Sequence, residues 1–196
     1  MEMLLNFPAE ITMLGLWLNS AVQHEVNGGK HIENNSLSLF FSTETLRPIF
    51  HILLLEKRHR GILFAQGPGW SATQSQGRWS LLLYNPVTIN PTLLTAPMLV
   101  EEFKKYFSLH VDLPSAGLWR IKTWLFDQKN GALYHQYTLH PTCFDRDEET
   151  MEYIRQRSQP TLTLRDEEIT KQWISEVMLD INAVCLIQFQ PISQTG

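Results

Sequence analysis

The chain has 196 residues, 43% of them hydrophobic and 18% charged, which is enough for one domain or one plus a fragment of another. A formal net charge of −4 removes any general electrostatic reason to bind nucleic acid, because phosphate contact needs a clustered basic face. Two cysteines, Cys143 and Cys185, exclude the disulfide framework of small secreted domains and lack metal-type spacing. Cys185 lies in the apolar run AVCLIQF and reads as a small buried hydrophobe. No apolar run approaches the ~20 residues of a membrane span, and the N-terminus lacks a basic n-region and a small-residue cleavage site. The expectation is a soluble cytoplasmic protein with no membrane partner.

In chain order, residues 1–26 fit two templates. Ile11, Leu14, Leu18 and Val22 stand near helical spacing, yet residues 11–17 also read as a short buried strand. Asn27-Gly28-Gly29 breaks that element. A polar stretch from His31 leads into Leu37–Phe41, a loop with room for one strand. A helix is expected over 47–58, with Pro48 in its first turn, an apolar stripe through Ile49, Ile52 and Leu53, and Gly61 as its stop. Lys57-Arg58-His59-Arg60 falls at the end of that helix, where basic residues complement the dipole rather than mark phosphate contact.

From Ile62 the punctuation changes to Gly, Pro and Asn at every eight to twelve residues, the spacing of a sandwich or barrel. Strands are expected at 62–66, 70–74, 78–84, 103–111, 117–127, 172–179 and 183–190. Asn85–Pro97 holds three prolines and reads as a loop. The stretch 117–127 alternates Trp119, Ile121, Thr123 and Leu125 against Arg120, Lys122, Trp124 and Phe126. Aromatics on both sides predict a central strand covered on both faces. Asp145–Glu148 resembles a capping box for a helix over 146–157, with Met151 and Ile154 inward and Pro160 as its stop. The expected fold is mainly β: an antiparallel sandwich with a few peripheral helices, covering 59–196 and preceded by a short α/β segment over 1–58.

Several pieces, in order, resemble the C-terminal part of glycoside hydrolase family 39, the β-xylosidase and iduronidase-like enzymes, and the related region of AraC-type transcriptional regulators. They are Leu14–Ser20, Leu39–Phe50 with Arg47-Pro48, Leu81–Asn85, Trp119–Tyr137, and Arg157-Ser158-Gln159-Pro160. The resemblance implies that 1–58 derives from the end of a (β/α)8 barrel and that 59–196 is the accessory sandwich. Departures are Ala21 in place of Asp, Tyr137 in place of Trp, and Ala132-Leu133 in place of Asn-Ala. The catalytic Glu pair of the family has no counterpart. There is no Asn-Glu dipeptide, and the one Thr-Glu, Thr43-Glu44, precedes Thr45 in a loop.

Retaining hydrolysis needs two carboxyls ~5 Å apart on rigid strands. The acidic groups here, Glu101-Glu102, Asp145–Glu149 and Asp166–Glu168, read instead as caps and solvated faces, the last two as helix starts. Seven histidines show no HxH or HExxH spacing, and no P-loop, dinucleotide fingerprint or nucleophile elbow occurs. No metal or cofactor is expected. Large indoles stack on the flat C–H faces of sugars but more often fill cores, each burying ~150–250 Å². Trp17, Trp70 and Trp124 are the candidate sugar contacts, Trp124 foremost because Arg120 and Lys122 share its face. The reading is a non-catalytic, structural or sugar-sensing sandwich whose partners are a carbohydrate or a missing barrel or regulatory domain. The alternatives are a stand-alone carbohydrate-binding module and a residual glycosidase acting through Glu44. One strand and one helix from a closed barrel leave edges unsatisfied. The segment 1–45 therefore folds back, stays mobile, or pairs with another chain, which would make a homo-oligomer.

Overall fold

The computed structural model describes residues 22–26, 29–33, 48–88, 101–132 and 148–192. Trp17, the helix-or-strand question at 8–20, Glu44, Tyr137, Cys143 and Asp145–Asp147 lie outside the described residues. Strands β1 (Val22–Val26) and β2 (Gly29–Glu33) pair antiparallel with His24 opposite His31. Asn27-Gly28 stands between them in the sequence, the dipeptide that most favours a two-residue hairpin connection.

Helix α1 (Pro48–Arg58) leads into β3 (Ile62–Gly67), β4 (Trp70–Ser75) and β5 (Arg78–Tyr84). Next come β6 (Lys105–Asp112), β7 (Gly117–Phe126), helix α2 (Glu148–Arg157), β8 (Thr161–Ile169), β9 (Gln172–Leu179) and β10 (Val184–Pro191). The fold is mainly antiparallel β. A six-stranded sheet runs β3-β4-β5-β10-β7-β8, and β6 pairs with β9 in a second sheet. Gln76 and Gly77, with φ of 48° and 74°, join β4 to β5. Two successive positive φ values match the right-handed twist of the flanking strands.

Each face of the large sheet packs on a different layer. On one face Leu81, Leu83, Ile121, Cys185, Ile187 and Phe189 meet Leu109, Trp173 and Leu179 of β6 and β9. On the other, Leu82, Tyr84, Trp124, Phe126, Val184 and Leu186 meet Ile52 and Leu55 of α1. The middle strands are covered on both sides, which is why Leu81–Tyr84 and Val184–Ile187 read as unbroken apolar runs. β7 divides its faces as its alternation predicts, but it is not central. It stands one from the edge, between β10 and β8.

Edge strand β8 is the element the pattern did not show. It is exposed from Thr161 through Glu168; the short alternation Thr161-Leu162-Thr163-Leu164 buries neither leucine and gives way to the charged run Arg165–Glu168. Asp166–Glu168 belong to this strand and not to a helix start. Asp166 takes a two-pronged hydrogen bond from Arg120 on β7, both contacts at 2.8 Å, and charges along an edge discourage pairing with other chains. α2 is described from Glu148, with Glu148 and Glu149 in its first turn and Arg155 and Arg157 in its last; the expected start at 146 lies outside the described residues. That order suits the helix dipole. Ile154 is fully buried, and the Ser158 hydroxyl closes the last turn on the Ile154 carbonyl at 2.7 Å.

Two buried polar side chains tie the layers together. Asn85, just past β5, donates from Nδ2 to the carbonyls of Phe103 and Asp180 at 2.8 and 3.1 Å, with the Leu179 carbonyl at 3.3 Å. It thereby joins the end of β5 to the approach to β6 and to the β9–β10 turn. His59, just past α1, sits between the Ser80 hydroxyl on Nδ1 at 3.0 Å and the Ser71 hydroxyl on Nε2 at 2.9 Å. Burial holds it neutral, with its pKa pushed down to about 4.

Two predictions follow from these anchors. Removing the Asn85 amide leaves buried carbonyls unpaired, so Asn85→Ala lowers the unfolding free energy by about 2 kcal/mol, read by urea denaturation at neutral pH. Because the folded pKa of His59 lies below its ordinary value of 6.5, the unfolded chain binds the extra proton. The His59 contribution is complete above pH 6.5 and is lost as pH falls toward 4, on the order of 3 kcal/mol in all. His59→Gln should flatten the wild-type fall in stability between those pH values.

Candidate ligand-binding cleft

The two-stranded sheet does not cover the whole face of the six-stranded one. Where cover ends, a cleft of about 570 Å³ opens between β6 and the β3–β5 hairpins. That volume lies within the ~300–1,000 Å³ of small-molecule sites. Its sides carry Phe64, Trp70 and Trp79 from the large sheet, and Tyr106, His110 and Asp112 from β6. Alternation places Trp70, Ala72, Trp79 and Leu81 on one face by registering Trp70 against Leu83 and Ala72 against Leu81. Lys105 at the start of β6 donates to the Pro68 carbonyl at 2.8 Å, fixing β6 over the β3–β4 turn.

The aromatic groups are ordered by specific contacts. Trp70 lies against the Gly67 backbone so closely that a Cβ there would come within 2.5 Å of the indole Nε1. Phe64 and Trp79 meet edge to face with ring centres 4.9 Å apart, a favoured aromatic geometry. The Trp79 indole nitrogen is buried without a hydrogen-bond partner among the described residues. The core tryptophans differ: Trp119 donates to the Ser115 carbonyl at 3.2 Å and Trp173 to the Glu167 carboxylate at 3.4 Å. Tyr106 is 72% exposed and Phe64 52%, so the outer lip of the cleft presents open aromatic faces.

The structure separates the sequence candidates. Trp70 lines the cleft. Trp124 sits on the opposite face of the sheet, buried at 9% exposure against α1, with the Arg58 guanidinium 5.0 Å above its ring. It shares that face with Arg120 and Lys122 as the alternation requires, but the helix end covers it. Trp79, one of the indoles weighed between stacking and core but not among the three chosen, and Tyr106, which sequence reasoning did not single out, complete the cleft. Their signal was available only in part. The β4–β5 turn places Trp79 near Trp70, whereas Tyr106 arrives through the pairing of distant strands.

Catalytic chemistry has a poor foundation here. Among the described residues Asp112 is the one carboxylate on the cleft, and it accepts a hydrogen bond from Gln172 at 3.0 Å. Glu101, Glu102, Glu148, Glu149 and Asp166–Glu168 are all exposed. Glu56 on α1 has its pKa raised by burial but lies away from this cleft. Among the described residues no group of three or more His, Cys, Asp or Glu side chains is placed to hold a metal, and no helix is long and apolar enough to cross a membrane. The Cys185 thiol is buried and its pKa is pushed up to about 12, which makes it an inert core group.

No family model matches the chain. The chain is similar to uncharacterized HTH-type transcriptional regulators of Staphylococcus aureus. It is 27% identical over 190 residues to that of strain COL and 26% identical over 190 residues to that of strain MRSA252. Each alignment takes in 95% of this chain and 25% of the relative, so the chain spans about a quarter of the length of the curated relatives it matches. Among solved structures, it superposes on a GH39 enzyme from Xanthomonas axonopodis pv. citri with a TM-score of 0.65 at 12% identity, covering 80% of this chain and 32% of that one. A monomeric beta-xylosidase from Caulobacter crescentus CB15 gives the same TM-score and identity, with 80% and 33% covered. The fold is therefore that of part of these GH39 enzymes.

The Gly67–Trp70 contact yields a prediction. Gly67→Ala forces the indole aside, so the variant should show red-shifted tryptophan emission and a stability loss of about 1–2 kcal/mol. Unchanged emission would mean that the ring does not rest on Gly67.

Proposed function

We propose that this chain is the C-terminal sandwich region of a longer, regulator-type protein built on a GH39-like plan, with a non-catalytic role as scaffold and sugar-contacting surface. The observation that carries the reading is the aromatic cleft between β6 and the β3–β5 hairpins. It brings Trp70, Trp79, Phe64 and Tyr106 together with the polar groups of His110 and Asp112. Sugars offer flat C–H faces to rings and hydroxyls to polar edges, and His110 and Asp112 supply such edges beside the aromatic groups. The similarity to regulators and the shared GH39 fold support the context. Fold alone does not fix function.

A carbohydrate-binding module is the second reading, favoured by the same cleft. The residual glycosidase is disfavoured, because a retaining mechanism needs two carboxyls ~5 Å apart and the cleft carries one. Glu44, the residue named for that activity, lies outside the described residues.

The test is a tryptophan fluorescence titration with xylosides, uronides and common monosaccharides. Saturable quenching is expected, weakened about tenfold or more in Trp70→Ala, since stacking contributes ~1 kcal/mol or more per ring. Trp124→Phe, altered on the opposite face, should titrate like wild type. Silence across the panel would leave the scaffold role alone.

A further inference from the structure

The basic run after α1 has a second neighbour that its sequence does not show. A concavity of about 480 Å³ opens beside the end of α1, and it is lined by Lys57, Arg58, Arg60 and Arg78 together with Gln76 and Gln188. The first three cations belong to one run, and Arg78 is brought to them by the β4–β5 turn. All four are exposed. No carboxylate lines the site among the described residues, and the ion pairs of the described residues, made by Lys104, Arg120 and Arg155, lie elsewhere. Such a concentration of positive charge stands out in a chain of net charge −4.

The site is also held in place. Gln188 of β10 donates to the Arg58 carbonyl at 2.8 Å, and the Thr73 hydroxyl of β4 donates to the Arg60 carbonyl at 3.4 Å. The Arg58 guanidinium rests over Trp124, and His59 is clamped between Ser71 and Ser80. The backbone under the cations is thus tied to three strands. Dipole complementation explains Lys57 and Arg58 in the last turn. It does not explain Arg60, beyond the helix, or Arg78, from another element. A helix C-terminus carries roughly −0.5 of an elementary charge, which four full positive charges outweigh.

We propose that this concavity is an anion site for a phosphate-bearing small molecule. Arginine forks match phosphate oxygens two at a time, and the Gln76 and Gln188 amides beside them suit the hydroxyls of a phosphate ester. A compact, concave cluster fits a single phosphate group. A nucleic-acid backbone asks for an extended basic face, and among the described residues these four cations form a compact group instead.

The experiment is calorimetric titration of the purified chain with inorganic phosphate, glucose 6-phosphate, unphosphorylated glucose and a short DNA duplex, at about 50 and 200 mM salt. Saturable binding of the phosphate compounds is expected, with glucose silent and with Arg60→Ala/Arg78→Ala weakening affinity at least ~tenfold. Tighter binding of glucose 6-phosphate than of phosphate would place the ester as ligand; the reverse order would place the free ion. Should the double variant lose its fold by circular dichroism, Arg78→Gln alone, at an exposed turn, gives the same reading. Absence of binding by either phosphate compound overturns the proposal, as does binding that ignores these arginines. Preferential, steeply salt-dependent binding of the duplex overturns it in favour of nucleic acid. Glucose silence on its own bears on the aromatic cleft and not on this site.

Discussion

Everything else hangs on the pairing of β5 with β10 at the middle of the large sheet. Both strands are covered above and below, so their backbone groups have no water to turn to and must bond to each other. The register sets Leu82 against Leu186 and Leu83 against Cys185. β10 also pairs with β7, matching Leu186 to Trp124. The last described strand is therefore the one that joins the β3–β5 hairpins to the β7–β8 pair. Slipping β10 by one residue would exchange the layer that meets α1 with the layer that meets β6 and β9. Because β5 and β10 are separated by about a hundred residues of chain, the sheet closes through a long-range contact, a topology that folds slowly.

That single sheet carries two chemically different surfaces. Toward β6 and β9 the exposed remainder is aromatic, since β6 and β9 are too few to cover β3, β4 and the start of β5. Toward α1 the exposed remainder is cationic, since the helix ends before the sheet does and its final residues reach past Trp124. β5 serves both sides through alternation: Trp79 and Leu81 look to the aromatic cleft, while Ser80 anchors His59 beneath the basic concavity. A change in β5 twist would be felt on both surfaces, and His59 stiffens that strand from one side.

Much of this was legible in the residues, and the failures have physical causes. β5 and the facing of β7 could be read because apolar pattern and burial coincide there. β6 read correctly from Phe107 to Val111: Phe107, Leu109 and Val111 are the covered positions, while Tyr106, Ser108 and His110 are the exposed ones, at the rim of the cleft. β8 was missed because its alternation is confined to Thr161-Leu162-Thr163-Leu164 and the acidic residues that follow imitate a helix start. The central position assigned to β7 failed because strand order is a property of pairing between distant segments, which local periodicity does not carry. Trp124 looked accessible from its charged neighbours, but sequence cannot show that the end of α1 lies on it. The cleft joins β3, β4 and β5 to β6, and no spacing rule connects Trp70 with Tyr106. Asn85 is instructive in another way. It was one residue of a matching strand segment, and only the geometry gives its reason, the amide that holds three chain segments together.

The shared fold and the separate surfaces bear differently on function. A TM-score of 0.65 at 12% identity means that the layered plan persists while most side chains have changed. A scaffold needs only the plan: buried strands in register, an anchor such as Asn85, and a helix packed on Trp124 and Phe126. Both concavities ask for more, because nothing in the packing requires an arginine at position 78 or a tyrosine 72% exposed at position 106. Exposed aromatic surface and clustered like charges each carry a solubility or repulsion cost that folding alone does not repay. The residues least needed by the fold are thus the ones that argue most directly for ligands.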